Sequence, residues 1–291
     1  MTEQHHLQQP EPTLAELIEQ AHRRLQDQTE SPLLDAEILL CHSLGKTRSF
    51  LRAWPEHRPS PAQRLHFDEL LEKRQQGMPI AYLTGYREFW SREFKVNSDV
   101  LIPRPDTELL VELALTLLKP ELPANVLDLG TGSGILAITL GLEFPWAKVQ
   151  ACDVSEAALK IARLNAERLD ARNVSFIHSH WFDHITGHDF DLIISNPPYI
   201  AKDDPHLQRG DVRFEPQTAL ISADSGLKDI ETLANQSRNH LKQGGSLLIE
   251  HGYDQQQTVQ AIFRKYGYCQ TTTHEDLSAN PRVTSGLWSP S

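Results

Sequence analysis

Asn125-Val126-Leu127-Asp128-Leu129-Gly130-Thr131-Gly132-Ser133-Gly134 is a short apolar run that ends in an acidic residue and a glycine-rich turn. The run reads as a strand, Val126 to Leu129. The apolar stretch after it, Ile135 to Leu142, reads as a helix. Glycines at such a joint allow a tight turn and let a ligand come close to the backbone. The same alternation continues on both sides: strand Val149 to Val154, helix from a Ser155 cap to Leu169, strand Val174 to His178 and strand Asp191 to Ser195. A helix from Leu227 to Leu241, stopped by Gly244-Gly245, precedes a strand Ser246 to Glu250 and a helix Gln255 to Tyr266. Two last strands, Cys269 to Thr273 and Val283 to Trp288, form a hairpin. Alternating strands and helices predict an α/β fold, a doubly wound Rossmann-like sheet with ligands at the carboxyl ends of its strands.

Upstream the pattern is helical. Thr13 and Glu16 form a T-x-x-E capping box. Ser31-Pro32 and Ser60-Pro61 place proline at a first helical position, and the helices they open run towards Gly45 and Gly77. These signals predict a polar disordered tail over 1–12 and a small helical domain over 13–77 with no obvious catalytic constellation. A linker with a β-hairpin follows over 78–100, dense in aromatics, and the sheet domain fills 101–291. Within the last, Leu101-Ile102-Pro103-Arg104-Pro105-Asp106-Thr107-Glu108 opens a helix from Leu109 to Leu118.

The chain has 291 residues, of which 39% are hydrophobic and 23% charged, the balance of a folded soluble protein. No apolar run approaches the roughly 20 residues that span a bilayer, and the N-terminus has no signal-peptide pattern. The three cysteines, Cys41, Cys152 and Cys269, are scattered and suit a reducing cytoplasm. A net charge of −11 with no Lys/Arg cluster disfavours a nucleic-acid substrate. His178, His180, His184 and His188 match no zinc spacing and read as a solvated loop, so no metal is expected.

The glycine spacing D-x-G-x-G-x-G, with Asp153 ending the next strand where an acidic residue can bind ribose hydroxyls, resembles the first motif of class I methyltransferases more than that of a dehydrogenase. Trp181 follows the strand ending at His178; it either stacks on a purine or fills the core. Asn196-Pro197-Pro198-Tyr199 follows the strand Leu192-Ile193-Ile194. Its prolines fix φ and lack N–H donors, leaving carbonyls to face a planar NH₂ group. Asn196 adds a side-chain acceptor and Tyr199 a flat face. Such a slot holds an amide or an aromatic amine in its plane, nitrogen towards a methyl donor. An amide nitrogen is a poor nucleophile, so alignment and acceptors for its developing charge carry the chemistry. A non-catalytic cofactor-binding protein, with N-P-P-Y a structural turn, is the reading that Asn196 counts against.

With these residues in place, the chain resembles the release-factor glutamine methyltransferase family (PrmC). The resemblance runs over nearly its whole length: the helical domain, Ala81 to Gly85, Arg87 to Trp90, Leu101 to Glu108, the glycine turn, N-P-P-Y-I, and Gly210-Asp211-Val212-Arg213-Phe214-Glu215-Pro216. N-P-P-Y alone is shared with adenine methyltransferases; the flanking segments are more specific. The resemblance implies S-adenosylmethionine as cofactor and, as partner and substrate, the glutamine of the Gly-Gly-Gln motif of peptide-chain release factors. It places Gly130, Thr131, Gly132, Ser133 and Gly134 at the methionine end of the cofactor, Asp153 at the ribose and Trp181 at the adenine. Asn196 stands between cofactor and substrate, Asn196, Pro197 and Tyr199 act in catalysis, and Asn196 to Tyr199 hold the glutamine. Arg104 to Glu108 closes over the cofactor. The alternatives are a ribosomal-protein glutamine methyltransferase, with a similar core, and a DNA adenine methyltransferase, which needs a basic face and a target-recognition domain.

Overall fold

The structure, a computed structural model, describes residues 11–119 and 121–290. The expected tail over 1–12 falls, apart from Glu11 and Pro12, outside the described residues. The chain divides into two compact units that part between Gly85 and Tyr86.

The first unit is helical: α1 (Leu14–Leu25), α2 (Pro32–Leu44), α3 (Arg48–Ala53), α4 (Pro61–Gln75) and α5 (Ile80–Thr84). The cap at α1 is reciprocal, with Glu16 N donating to Thr13 Oγ1 at 3.3 Å and Thr13 N donating to Glu16 Oε2 at 2.8 Å. Gly45 ends α2 at φ +64, a left-handed position that glycine takes without strain. Leu14, Leu25, Leu39, Leu40, Phe67 and Leu71 form the core. Helix α5 falls where the sequence suggested only a linker, and α3 was not expected. Both are short helices of five or six residues, below the length at which a periodic pattern shows.

The second unit opens with the expected hairpin, β1 (Tyr86–Phe89) and β2 (Arg92–Lys95). A 3₁₀ turn, Pro105–Thr107, leads into α6 (Glu108–Leu117). Then follow β3 (Asn125–Leu129), α7 (Ile135–Glu143), β4 (Lys148–Asp153), α8 (Glu156–Arg168), β5 (Val174–His178) and β6 (Phe190–Ser195). After three short 3₁₀ turns come α9 (Ala223–Gly226), α10 (Lys228–Ser237), β7 (Leu241–Glu250), α11 (Gln256–Lys265), β8 (Tyr268–Glu275) and β9 (Pro281–Trp288).

The sheet has seven strands in the order β5-β4-β3-β6-β7-β9-β8. Strands β3 to β7 are parallel, and β9 runs antiparallel to both β7 and β8. Successive residues of a strand face opposite sides: Val126, Leu192, Ile194 and Leu248 enter one core with α6 and α7, while Leu127, Ile193, Leu247 and Ile249 enter another with α10 and α11. Burial on both faces explains why these strands read as continuous apolar runs. The chain winds outward from β3 through β4 to β5, then returns to lay β6 on the other side of β3. That reversal opens a crevice beyond the carboxyl ends of β3 and β6, where doubly wound folds bind ligands.

One expectation is corrected. The helix read over Leu227 to Leu241 ends at Ser237, and Gly244-Gly245 does not stop it: both glycines lie inside β7. Gly244 has φ +82, and a Cβ on Gly245 would stand 2.7 Å from Phe190 O. They mark the register shift between β6 and β7 at Phe190 and Leu192, a bulge that only residues without side chains fit.

Candidate active site

The glycine turn bridges the ends of β3 and β4. Gly130 N and Thr131 N both donate to Cys152 O at 2.9 Å, and Gly134 N donates to Thr131 O at 2.8 Å. Gly130, Gly132 and Gly134 all have positive φ. A Cβ on Gly134 would stand 2.7 Å from Ile138 Cδ1, whereas one on Gly132 would meet nothing within 4 Å. Gly134 therefore serves the packing of turn on helix, and Gly132 leaves open space on the cleft side. Below them Asp128 accepts from Thr131 Oγ1 at 2.6 Å and from Ala137 N at 3.2 Å. Its Oδ1 has no partner among the described residues, and burial pushes its carboxyl up to about 7.

Asp153 ends β4 and accepts from Gly132 N and Ser155 N, each at 2.8 Å. Burial raises its pKa, against the pull of those backbone donors. Trp181 has φ +47 and its indole Nε1 donates to Asp229 Oδ1 at 3.1 Å. Trp181, Asp153, the turn, Asp99, Asp229 and Thr107 line one cleft, which encloses about 1100 Å³ including open solvent. Trp181 both lines the cleft and packs against the core that holds α10 and α11, with its ring edge 3.3 Å from where a Cβ on Gly130 would stand.

Asn196-Pro197-Pro198-Tyr199 leaves β6 at the switch point, held by Ser195 Oγ donating to Leu129 O at 2.6 Å. All its peptide bonds are trans. Asn196 and Pro198 line the large cleft, while Asn196, Pro197 and Tyr199 line a second cavity of about 490 Å³ beside it. Of the four, Asn196 alone borders both. Its Nδ2 donates to Thr107 Oγ1 at 3.1 Å. Tyr199 OH donates to Glu250 Oε1 at 3.2 Å, and Gln255 Nε2 donates to Tyr199 O at 3.0 Å. Burial pushes the Tyr199 phenol well above its usual range. A Cβ on Gly226 would stand 2.1 Å from Tyr199 O, so that position is closed to any side chain.

The Leu101 to Glu108 segment and Gly210 to Pro216 meet over the two cavities. Glu215, buried, accepts from Arg104 Nη2 at 2.5 Å and from Ile102 N at 3.3 Å. Sequence reasoning placed Thr107 only within the Arg104 to Glu108 segment and assigned no role to Asp229, Glu215 or Glu250. Glu250 did carry a signal: like Asp153 it is a carboxylate closing an apolar strand at its carboxyl end. The histidines are spread over local contacts: His178 Nε2 lies 2.8 Å from Val154 O, His184 Nδ1 2.9 Å from His178 O, and His188 Nδ1 3.1 Å from Asn239 O.

Known proteins are similar to this chain over nearly its whole length. Residues 16–85 match the PrmC N-terminal domain and residues 106–211 the methyltransferase small domain. The release factor glutamine methyltransferase of Shewanella oneidensis is 46% identical over 275 residues, 94% of this chain and 96% of its own. This chain belongs to the release factor glutamine methyltransferase family. The Escherichia coli member is 48% identical over 260 residues, 89% of this chain and 94% of its own. A solved methyltransferase from Pyrococcus furiosus, 16% identical, has the same fold, with a TM-score of 0.53 over 77% of this chain and 98% of its own. As a release factor glutamine methyltransferase family member the chain is a methyltransferase, and the cleft at its sheet's switch point is the place to seek the reaction. Among the described residues no helix is long and apolar enough to cross a membrane.

Proposed function

We propose that this chain transfers a methyl group from S-adenosylmethionine to the side-chain amide nitrogen of the glutamine in the Gly-Gly-Gln motif of peptide-chain release factors, in the cytoplasm. The observation that carries the reading is the place of Asn196, on the border between two adjoining cavities. One is suited to a nucleoside, the other to a small flat side chain.

The larger cleft fits S-adenosylmethionine. Asp153 offers a carboxylate at a strand end for ribose hydroxyls. Trp181, fixed by Asp229, offers a flat ring for the adenine, and Gly132 leaves the turn open for the methionine end. The cofactor carries a positive sulfonium, and the lining carboxylates Asp99, Asp153 and Asp229 outnumber the one guanidinium, Arg104. When bound, S-adenosylmethionine supplies a methyl group on a good leaving group.

The chain supplies position and charge. Pro197 and Tyr199 hold the glutamine amide in its plane. Asn196 accepts one of its N–H protons and so draws electron density towards the nitrogen that is to be methylated. Alignment of this kind lowers a barrier by roughly 7–11 kcal/mol. Acceptors already in place need no reorganisation as charge develops. The helical unit contributes to binding the release factor. The net charge of −11 disfavours a nucleic-acid substrate.

The test is mass spectrometry of the Gly-Gly-Gln peptide from a release factor incubated with the protein and S-adenosylmethionine. A gain of one methyl on the glutamine is expected. No gain from folded protein that binds the cofactor would overturn the assignment. Asn196→Ala is expected to bind S-adenosylmethionine almost as wild type and to lose turnover.

A further inference from the structure

Glu250 is buried, at 1% exposure, beneath the Asn196 to Tyr199 slot. Tyr199 OH donates to its Oε1 at 3.2 Å, while Oε2 has no hydrogen-bond partner among the described residues. Arg282 on β9, the cation whose charge acts on Glu250, is paired with Asp106 at 3.2 Å and Asp276 at 3.1 Å. Charged and titratable groups around the carboxylate are Tyr199 from the loop after β6, Arg282 from β9 and Asp106 from the 3₁₀ turn before α6, with Arg104 acting on Tyr199 and His251 next in the chain. Thr107, from the same 3₁₀ turn, is near enough for its hydroxyl to stabilise the charged carboxylate.

Thr107 has one hydroxyl proton. Its oxygen accepts from Asn196 Nδ2 at 3.1 Å, so its own proton must go to another acceptor. An ionised carboxylate only accepts, and Glu250 is the one beside it. With that proton turned towards Glu250, Thr107 donates to the carboxylate, Asn196 donates to Thr107, and Asn196 Oδ1 is left for the substrate. Turning the Asn196 amide over would set two acceptors against each other at Thr107. We propose that Glu250 is the positioning residue of the methyl-acceptor slot, setting through Thr107 which way the Asn196 amide faces while anchoring the Tyr199 hydroxyl. This rests on the function proposed above for Asn196.

Protonation reverses the order. A neutral Glu250 can donate to Thr107, which can then donate to Asn196 Oδ1, and the amide turns its NH₂ to the substrate. The acceptor for the glutamine N–H is lost. Burial pushes Glu250 up to about 7, so the change falls near neutral pH, with the working orientation on the alkaline side.

Two measurements on the full chain test this. The first needs no turnover. In protein labelled with ¹⁵N-asparagine, the Asn196 side-chain NH₂ signal, identified by its loss in Asn196→Ala, is expected to shift between about pH 6 and about pH 8 and to stay still in Glu250→Gln. A signal that does not titrate in the wild type, or titrates alike in the variant, overturns the proposal. The second is the pH profile of kcat with a release factor. The wild type is expected to lose rate on the acid side near neutrality. Glu250→Gln should lower kcat roughly tenfold and lose that acid limb, with KM for S-adenosylmethionine unchanged. Wild-type kcat and pH profile in Glu250→Gln overturn the proposal. If Glu250→Gln does not fold, Thr107→Val carries both measurements, with Thr107→Ser expected to restore them. A wild type whose Asn196 signal titrates as described but which methylates no release factor overturns the proposed function and upholds the orientation of the amide.

Discussion

Arg104 and Glu215 lie 111 residues apart in sequence and form an ion pair at 2.5 Å whose carboxylate is fully buried. The pair ties the segment ahead of α6 to the loop after the Asn196 to Tyr199 slot, and Arg104 lines both cavities. The two ends are unequal. Arg104 is partly exposed and can be solvated alone, whereas Glu215 without it is a buried charge, already raised in pKa by burial. Arg104→Ala is therefore expected to be the more damaging change, and Glu215→Gln the milder. Loss of a charge-assisted bond of about 1.5–3 kcal/mol corresponds to roughly 10–100-fold in kcat/KM for the release factor. Thermal unfolding should rank the two variants in the same order. The reverse ranking would show that the pair does not hold these segments.

Gly132 and Gly134 separate binding from stability within one turn. Both have positive φ, which costs a residue with a Cβ about 1–2 kcal/mol. At Gly134 a Cβ would also collide with Ile138 Cδ1 at 2.7 Å and crowd Ala162 Cβ at 3.1 Å. Gly134→Ala is expected to lower the melting temperature clearly more than Gly132→Ala. Gly132→Ala places its methyl in open space on the cleft side and is expected to weaken S-adenosylmethionine binding out of proportion to its small loss of stability. Calorimetric titration and thermal unfolding of the two variants check this; equal stability losses would remove the distinction.

These contrasts show where sequence reading works and where it stops. The strand at Asn125, the turn and the alternation of strands with helices followed from local pattern, because apolar runs, glycine turns and helix caps are written in neighbouring residues. Asn196 and Asp153 were legible for the same reason, as polar residues at the carboxyl ends of apolar strands. Arg104 with Glu215, Trp181 with Asp229, and Thr107 with Asn196 were not, because each bond joins segments dozens of residues apart, and nothing in either segment names its partner. Gly244-Gly245 misled because glycine breaks a helix and a strand ladder alike; only the neighbouring strand at Phe190 decides between them.

Asp128 gives stability a pH dependence. Its carboxyl stands at about 7 in the folded chain against 3.8 as an unperturbed group. The folded state keeps a proton that the unfolded state has already released, so stability is greatest below the unfolded value and is lost as pH rises through the folded one. The loss is on the order of 4 kcal/mol when complete. Asp128→Asn cannot titrate. Its stability relative to wild type is expected to improve between about pH 5 and about pH 8, by on the order of 3 kcal/mol. Denaturant unfolding at the two pH values measures it, and a difference that does not change with pH would place the Asp128 pKa near its ordinary value.

Asn165, fully buried on α8, joins the β-hairpin to the glycine turn. Its Oδ1 accepts from Lys95 N at 2.7 Å, and its Nδ2 donates to Ser133 O at 2.9 Å and Lys95 O at 3.0 Å. Asn165→Ala leaves Lys95 N and two carbonyls without their partner, at about 1–3 kcal/mol for each that water does not reach. Because one of those carbonyls belongs to Ser133, within the turn, S-adenosylmethionine affinity should fall along with stability. Asn165→Asp separates the hydrogen bonds from the packing. Its carboxylate still accepts from Lys95 N but, when ionised, faces the carbonyls of Ser133 and Lys95 with no proton to give. It is expected to be less stable than Asn165→Ala at alkaline pH. The gap should close as pH falls and the carboxyl takes up a proton it can donate to one of those carbonyls. If the two variants keep the same stability difference at every pH, the amide protons of Asn165 are not what hold the turn.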